Sequence, residues 1–141
     1  NRIIFEGFRK DIPAILNCID VYCLPSLWEG FSIGLLEAMA MRKPVIASAV
    51  DGTCEIIRQG VNGLLITPGN TEELSNALSS LCHDAVLRRQ LQEKAFEAIT
   101  DEFNAQKVAG KTQEVYRRLL PGYKPDRLSV YENAGMRQPI T

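Results

Sequence analysis

The sequence is short of several things, and each shortage removes a class of function. It holds one histidine, His83, and four cysteines, Cys18, Cys23, Cys54 and Cys82, with no CxxC pair. A zinc site needs about four well-spaced ligands, which this set does not supply. Buried free thiols in a reducing cytosol are the expectation. No apolar run reaches the roughly 18 residues of a membrane span. The opening residues do not read as a secretory leader. Positive charge is not in excess: 16 Lys and Arg stand against 17 Asp and Glu, a net charge of -1. Nothing there argues for nucleic acid or an anionic membrane as partner. The one dense basic spot, Arg88 and Arg89, reads as a solvated helix face.

What is present fits one domain with a real core: 141 residues, 45% hydrophobic and 23% charged. Short apolar runs alternate with helical patterns. Strands are expected at 2–5, 20–25, 43–48 and 63–67. The opening "NRIIFEGF" reads as a strand already in progress, so the sequence is expected to begin inside a larger protein. Helices are expected at 12–19, with Asp11 as cap and Pro13 in the first turn. Others are expected at 33–41, at 53–59 (closed by Gly60), at 72–82 with Thr71 as N-cap, at 84–101 and at 104–120. The tail, 121–141, reads as an extended arm or as disordered.

Strands alternating with helices imply an α/β fold, a Rossmann-like doubly wound parallel sheet with extra C-terminal helices. Right-handed crossovers bring every strand's C-terminal end to one edge, where ligands of such sheets bind. The loops at that edge are Glu6–Asp11, Pro25–Gly34, Ala47–Thr53 and Thr67–Thr71.

The second loop carries "LWEGFSIGLLEAMA", with Glu29 and Glu37 separated by seven residues. Between them the chain is expected to enter a helix near Ser32 to Gly34. The first amides of a helix lack internal partners and carry the positive end of its dipole. Glycines let a ligand approach that backbone. The place suits an anion such as a diphosphate. A carboxylate does not bind phosphate, but it accepts hydrogen bonds from hydroxyls. Carboxylate, amide cluster, carboxylate matches the order sugar, diphosphate, ribose. The plainer readings are a dipole partner for Glu37 and a surface loop charge for Glu29. Neither a Walker loop nor GxGxxG is present.

"SLWEGFSIGLLEAMAMRKPVIAS" followed by "GTCEIIRQGVNGLLITPGN" resembles the donor half of the retaining glycosyltransferases called glycosyl transferases group 1, of GT-B architecture. The resemblance runs over about 1–118. It implies that 1–120 is part of the C-terminal, nucleotide-sugar-binding lobe, with 121–141 as an arm returning to the absent lobe. It implies that Glu29 contacts the donor sugar, that amides of Gly30, Phe31, Ser32 and Ile33 meet sugar and diphosphate, and that Glu37 holds the ribose. Gly7, Phe8 and Arg9 would border the nucleobase through their backbone.

The implied reaction moves a glycosyl group from a UDP-, GDP- or ADP-sugar to a sugar, lipid or other acceptor, with retention and without a metal or other cofactor. The implied setting is the cytoplasm, with peripheral membrane association through the absent N-terminal lobe as one option. Three departures stand out. Ser32 replaces a frequent glycine, Asp51 and Cys54 replace glycine and proline, and the phosphate-binding Arg and Lys of the family lie upstream. The 141 residues alone are therefore expected to be inactive. A nucleotide-sugar 2-epimerase and a non-catalytic nucleotide-sugar-binding module are the competing readings.

Overall fold

The computed structural model describes residues 3–120 and 122. The tail expected from 121 onward otherwise lies outside the described residues. Contacts divide the chain into two units, residues 1–102 and 103–141.

In the first unit a three-stranded parallel sheet is formed by β1 (Tyr22–Leu24), β2 (Val45–Ser48) and β3 (Leu64–Ile66), in that spatial order. Cys23 pairs with Ile46, and Ile46 with Leu64. The helices are α1 (Ile12–Cys18), α2 (Ile33–Ala40), α3 (Asp51–Ile56), α4 (Thr71–His83) and α5 (Ala85–Glu102). All four residues of β2 are buried, so both faces of the central strand are covered. On one side Ile46 and Ile66 meet Leu81 of α4 and Leu91 of α5, with Leu74, Leu78 and Leu87 around them. On α2, Leu35, Ala38 and Met39 are buried and Ile33 is exposed.

Local chemistry sets the boundaries. Asn62, almost fully buried, ties the turn before β3: its Oδ1 accepts from Arg58 N–H at 2.7 Å and its Nδ2 donates to Ile56 O at 3.1 Å. Gly63 must lack a side chain, since a Cβ would stand 2.7 Å from Val45 Cγ2. Arg42, which follows α2, stacks 3.8 Å from the Phe96 ring of α5 and pairs with Glu93.

Several expectations need correction. Residues 3–5 form no strand, and Ile3, Ile4 and Phe5 are 70–94% exposed. A strand exists only through a ladder partner, and none of the three strands pairs with this run. Asp11 occupies the cap position of α1 without a side-chain bond to it. Its carboxylate is held by Arg9 instead. The cap of α4 is Asn70, not Thr71: Asn70 Oδ1 accepts from the amides of Glu72 and Glu73, both at 3.1 Å. The helix expected at 53–59 starts two residues earlier and stops at Ile56. The cysteines are free, but Cys18, Cys54 and Cys82 are exposed rather than buried. Cys18 and Cys82 lie in the last turns of α1 and α4, and Cys82 faces away from the core that its neighbour Leu81 enters. Only Cys23, in β1, is partly covered, and burial pushes its thiol's pKa up.

The second unit contains α6 (Ala105–Leu119). Asn104 caps it, accepting from Lys107 N–H at 2.8 Å. Glu114 pairs with Arg117 and Arg118 one turn on.

The capping difference is measurable. Asn70→Ala should lower stability by about 1 kcal/mol, and Thr71→Ala, at an exposed position, should change it by less than about 0.5 kcal/mol. Urea unfolding of the two variants checks this. A larger loss in Thr71→Ala than in Asn70→Ala would return the cap to Thr71.

Candidate functional site

The loop after β1 and the start of α3 after β2 leave the same edge of the sheet. Between them lies a cleft of about 470 Å³, lined by Leu27, Trp28, Glu29 and Gly30 on one side and Ala49, Val50 and Asp51 on the other. Trp28 is 82% exposed, Glu29 is half-buried, and Asp51 is exposed. Nothing stands within 4 Å of where a Gly30 side chain would be, so that stretch of backbone is open to approach.

Ser32 starts α2 with extended backbone, and its Oγ accepts from Leu35 N–H at 3.3 Å. The serine found where the family often has glycine is thus a buried N-cap. It satisfies one of the helix's orphan donors. The amides of Ile33 and Gly34 have no hydrogen-bond partner among the described residues. Both lie at the positive end of the helix dipole, where an open donor favours a negative charge. Glu37 stands one turn further, exposed on the same side as Ile33. Exposure removes the desolvation cost that its apolar neighbours in sequence suggest.

Two contacts escaped the sequence reading. The first is Tyr22 of β1. A Cβ on Gly34 would lie 2.8 Å from the Tyr22 hydroxyl, so the phenol sits against the first turn of α2. Its pKa is raised, first by burial and then by the carboxylates of Glu29 and Glu37. One phenol therefore lies within electrostatic reach of both glutamates. The second is Gly52, whose amide donates to Glu29 O at 3.1 Å. Neither has a local sequence signal, because each contact joins segments far apart in the chain.

Gly7, Phe8 and Arg9 do not line this cleft. Gly7 has φ 62°, and Phe8 is 91% exposed. Arg9 grips Asp11 with two hydrogen bonds (2.9 and 2.6 Å) and Glu6 with a third of 2.7 Å. Asp11, then Glu6, raises the Arg9 pKa, and Arg9 lowers that of Asp11. Among the described residues no three His, Cys, Asp or Glu side chains are grouped to hold a metal. No helix there is long and apolar enough to cross a membrane.

The fold and the site define an α/β domain with a capped helix end beside a carboxylate-lined cleft at the sheet's edge. The chain belongs to the glycosyl transferases group 1 family, whose model matches residues 1–84. It is 34% identical over 115 residues to an Escherichia coli UDP-Gal:alpha-D-GlcNAc-diphosphoundecaprenol alpha-1,3-galactosyltransferase, covering 82% of this chain and 30% of that one. It is 31% identical over 120 residues to the N-acetyl-alpha-D-glucosaminyl L-malate synthase of Bacillus anthracis, covering 85% and 32%. Among solved structures it resembles Anabaena HepE in complex with UDP-glucose, with a TM-score of 0.79 and 31% identity over 84% of this chain and 33% of that one. The chain thus spans about a third of the length of the curated relatives it matches.

The Tyr22 environment gives a pH test. A raised folded-state pKa means that folding holds the phenol's proton more tightly. Stability is then complete below the ordinary phenol value of about 10 and falls as pH rises through the folded value. NMR titration of tyrosine-labelled chain should find Tyr22 ionising above that value. Glu29→Ala should lower its midpoint only in part, because burial is the larger cause. An ordinary midpoint for Tyr22 would contradict the described packing.

Proposed function

We propose that this chain is part of the donor-binding lobe of a retaining glycosyltransferase that takes a UDP-sugar. The observation that carries the reading is the cleft at the sheet's edge, with Glu29 and Gly30 in its wall and the start of α2, whose Ile33 and Gly34 amides lack partners among the described residues, just beyond them in the chain. Family membership supports glycosyl transfer. The choice of UDP is supported by the names of relatives that use UDP-Gal or hold UDP-glucose.

In this reading the diphosphate sits at the amides of Ile33 and Gly34, with Gly30 and Phe31 allowing close approach. Glu37 accepts hydrogen bonds from the ribose hydroxyls. Glu29 accepts them from the donor sugar and orients it; it does not attack. Gly7, Phe8 and Arg9 border the nucleobase through their backbone. The bond from the anomeric carbon to the diphosphate breaks through an oxocarbenium-like transition state, the nucleoside diphosphate leaves with the electron pair and gains charge, and the acceptor's hydroxyl oxygen bonds the anomeric carbon and gives up its proton. Preorganised amides stabilise that charge without reorganising during the reaction. One helix end supplies only about 0.3–1 kcal/mol per charge. The reading therefore needs the basic residues that the family resemblance places upstream. It involves no metal, places the reaction in the cytoplasm and leaves acceptor choice to the absent lobe. The 141 residues alone would bind UDP at about millimolar strength, near 4 kcal/mol, and transfer nothing.

Two substitutions in the full-length protein test the division of labour. Glu37→Gln should weaken UDP binding tenfold or more, from the loss of charged hydrogen bonds of about 1.5–3 kcal/mol. Glu29→Ala should lower turnover strongly yet leave UDP affinity nearly intact, since free UDP has no sugar to contact. Calorimetry with UDP and a transfer assay separate the two. Unchanged UDP affinity in Glu37→Gln would remove the ribose role. Equal losses of affinity and turnover in Glu29→Ala would reduce Glu29 to a loop-shaping residue.

A further inference from the structure

The Glu29 loop has no regular structure between β1 and α2, yet its carboxylate needs a fixed place. One contact from outside the loop supplies it. Gly52, buried in the first turn of α3, donates its N–H to Glu29 O at 3.1 Å. A Cβ there would fall 1.7 Å from Gly30 O, 2.4 Å from Gly30 C and 2.8 Å from Glu29 O. Those are backbone atoms, so no side chain can swing away to make room. An ordinary C···O contact is about 3.3 Å, so any side chain at 52 forces the Gly30 carbonyl, and with it the Gly30–Phe31 peptide, back by about 1.5 Å and presses on the Glu29 carbonyl beside it.

The turn that carries Gly52 is itself held. Thr53 Oγ1 accepts from Val50 N–H at 3.1 Å and lies within hydrogen-bond distance of the carbonyls of Ser48 and Val50. Thr53 is fully buried. The chain of contacts runs from the end of β2, through Thr53 and Gly52, to the backbone of Glu29.

We propose that Gly52 is a positioning residue for Glu29: its amide holds the Glu29 carbonyl, its bare Cα lets the Gly30 carbonyl pack against α3, and together they set the carboxylate's place in the cleft. The catalytic consequence rests on the function proposed above; the clamp itself does not.

Two measurements separate them. The sequence has one tryptophan, Trp28, next to Glu29, so its fluorescence reports the loop without any substrate. In the 141-residue chain, Gly52→Ala should shift Trp28 emission and change its quenching by acrylamide. Gly63→Ala, which crowds Val45 away from the cleft, should destabilise the fold and leave Trp28 unchanged. In the full-length protein, UDP release is followed across a panel of UDP-sugars. A displacement of this size should lower kcat about a hundredfold for Gly52→Ala. Because Gly52 acts through Glu29, the loss should nearly vanish when Glu29 is already alanine.

Where Gly52→Ala does not fold, Thr53→Val takes its place. It removes the bonds that hold the turn and adds no bulk, and should shift Trp28 emission and lower kcat about tenfold. Unchanged Trp28 emission in a folded Gly52→Ala or Thr53→Val protein overturns the clamp. A kcat loss that adds in full to that of Glu29→Ala overturns the positioning role. Turnover of no UDP-sugar by the wild-type protein would defeat the functional reading instead, and the fluorescence result would still decide the clamp.

Discussion

The burial of β2 on both faces is the constraint from which the first unit follows. A strand with Val45, Ile46, Ala47 and Ser48 all inaccessible must have its backbone satisfied by neighbours in the sheet and its side chains by layers above and below. Parallel pairing with β1 and β3 meets the first demand, and the packed helices meet the second. Parallel pairing also fixes direction. Leu24 lies opposite Ala47 in the ladder, so the segments that follow leave the same edge about one strand spacing, some 4.8 Å, apart. The loop bearing Glu29 and the turn bearing Gly52 meet there because the strands beneath them are adjacent and aligned. The cleft is a consequence of register.

Much of this could be read from the residues. The three strands at 20–25, 43–48 and 63–67 announced themselves through β-branched and apolar runs bounded by proline or glycine. Helix α2 was legible because Ser32 precedes an apolar stretch of good helix formers. The failures have physical causes. "RIIF" has strand composition, but composition states a preference and a ladder needs a partner. Thr71 and Asn70 are both good caps, and only geometry decides which side chain reaches the amides of Glu72 and Glu73. Cysteine as a residue type favours burial, but the exposure of Cys18, Cys54 and Cys82 depends on which helix face and which turn each occupies.

The site was legible to a different depth. The spacing of Glu29 and Glu37 and the helix start between them are local facts, and a sequence states local facts well. What holds Glu29 in place is not local. Tyr22 precedes Gly34 by twelve residues, and Gly52 follows Glu29 by twenty-three. The sheet brings them together. Family resemblance could place Gly7, Phe8 and Arg9 beside a nucleobase, whereas in the described residues Arg9 is engaged by Glu6 and Asp11. That arrangement leaves the backbone of the turn, rather than the guanidinium, as the surface on offer.

The glycines around the cleft share one chemistry and serve opposite purposes. Gly30 faces open space. A methyl there would meet no protein atom, so what it would obstruct is access to the backbone beside it. Gly34 and Gly52 face filled space: the first lies against a phenol hydroxyl, the second against a peptide. A side chain at either would displace a neighbour before any ligand arrived. At Gly34 that neighbour is the far end of a tyrosine, which has some freedom to turn; at Gly52 it is backbone, which yields only if the loop moves. One residue type thus does three jobs within twenty-three positions. Sequence spacing alone cannot rank them, because what distinguishes them is the identity of the atom that a Cβ would strike.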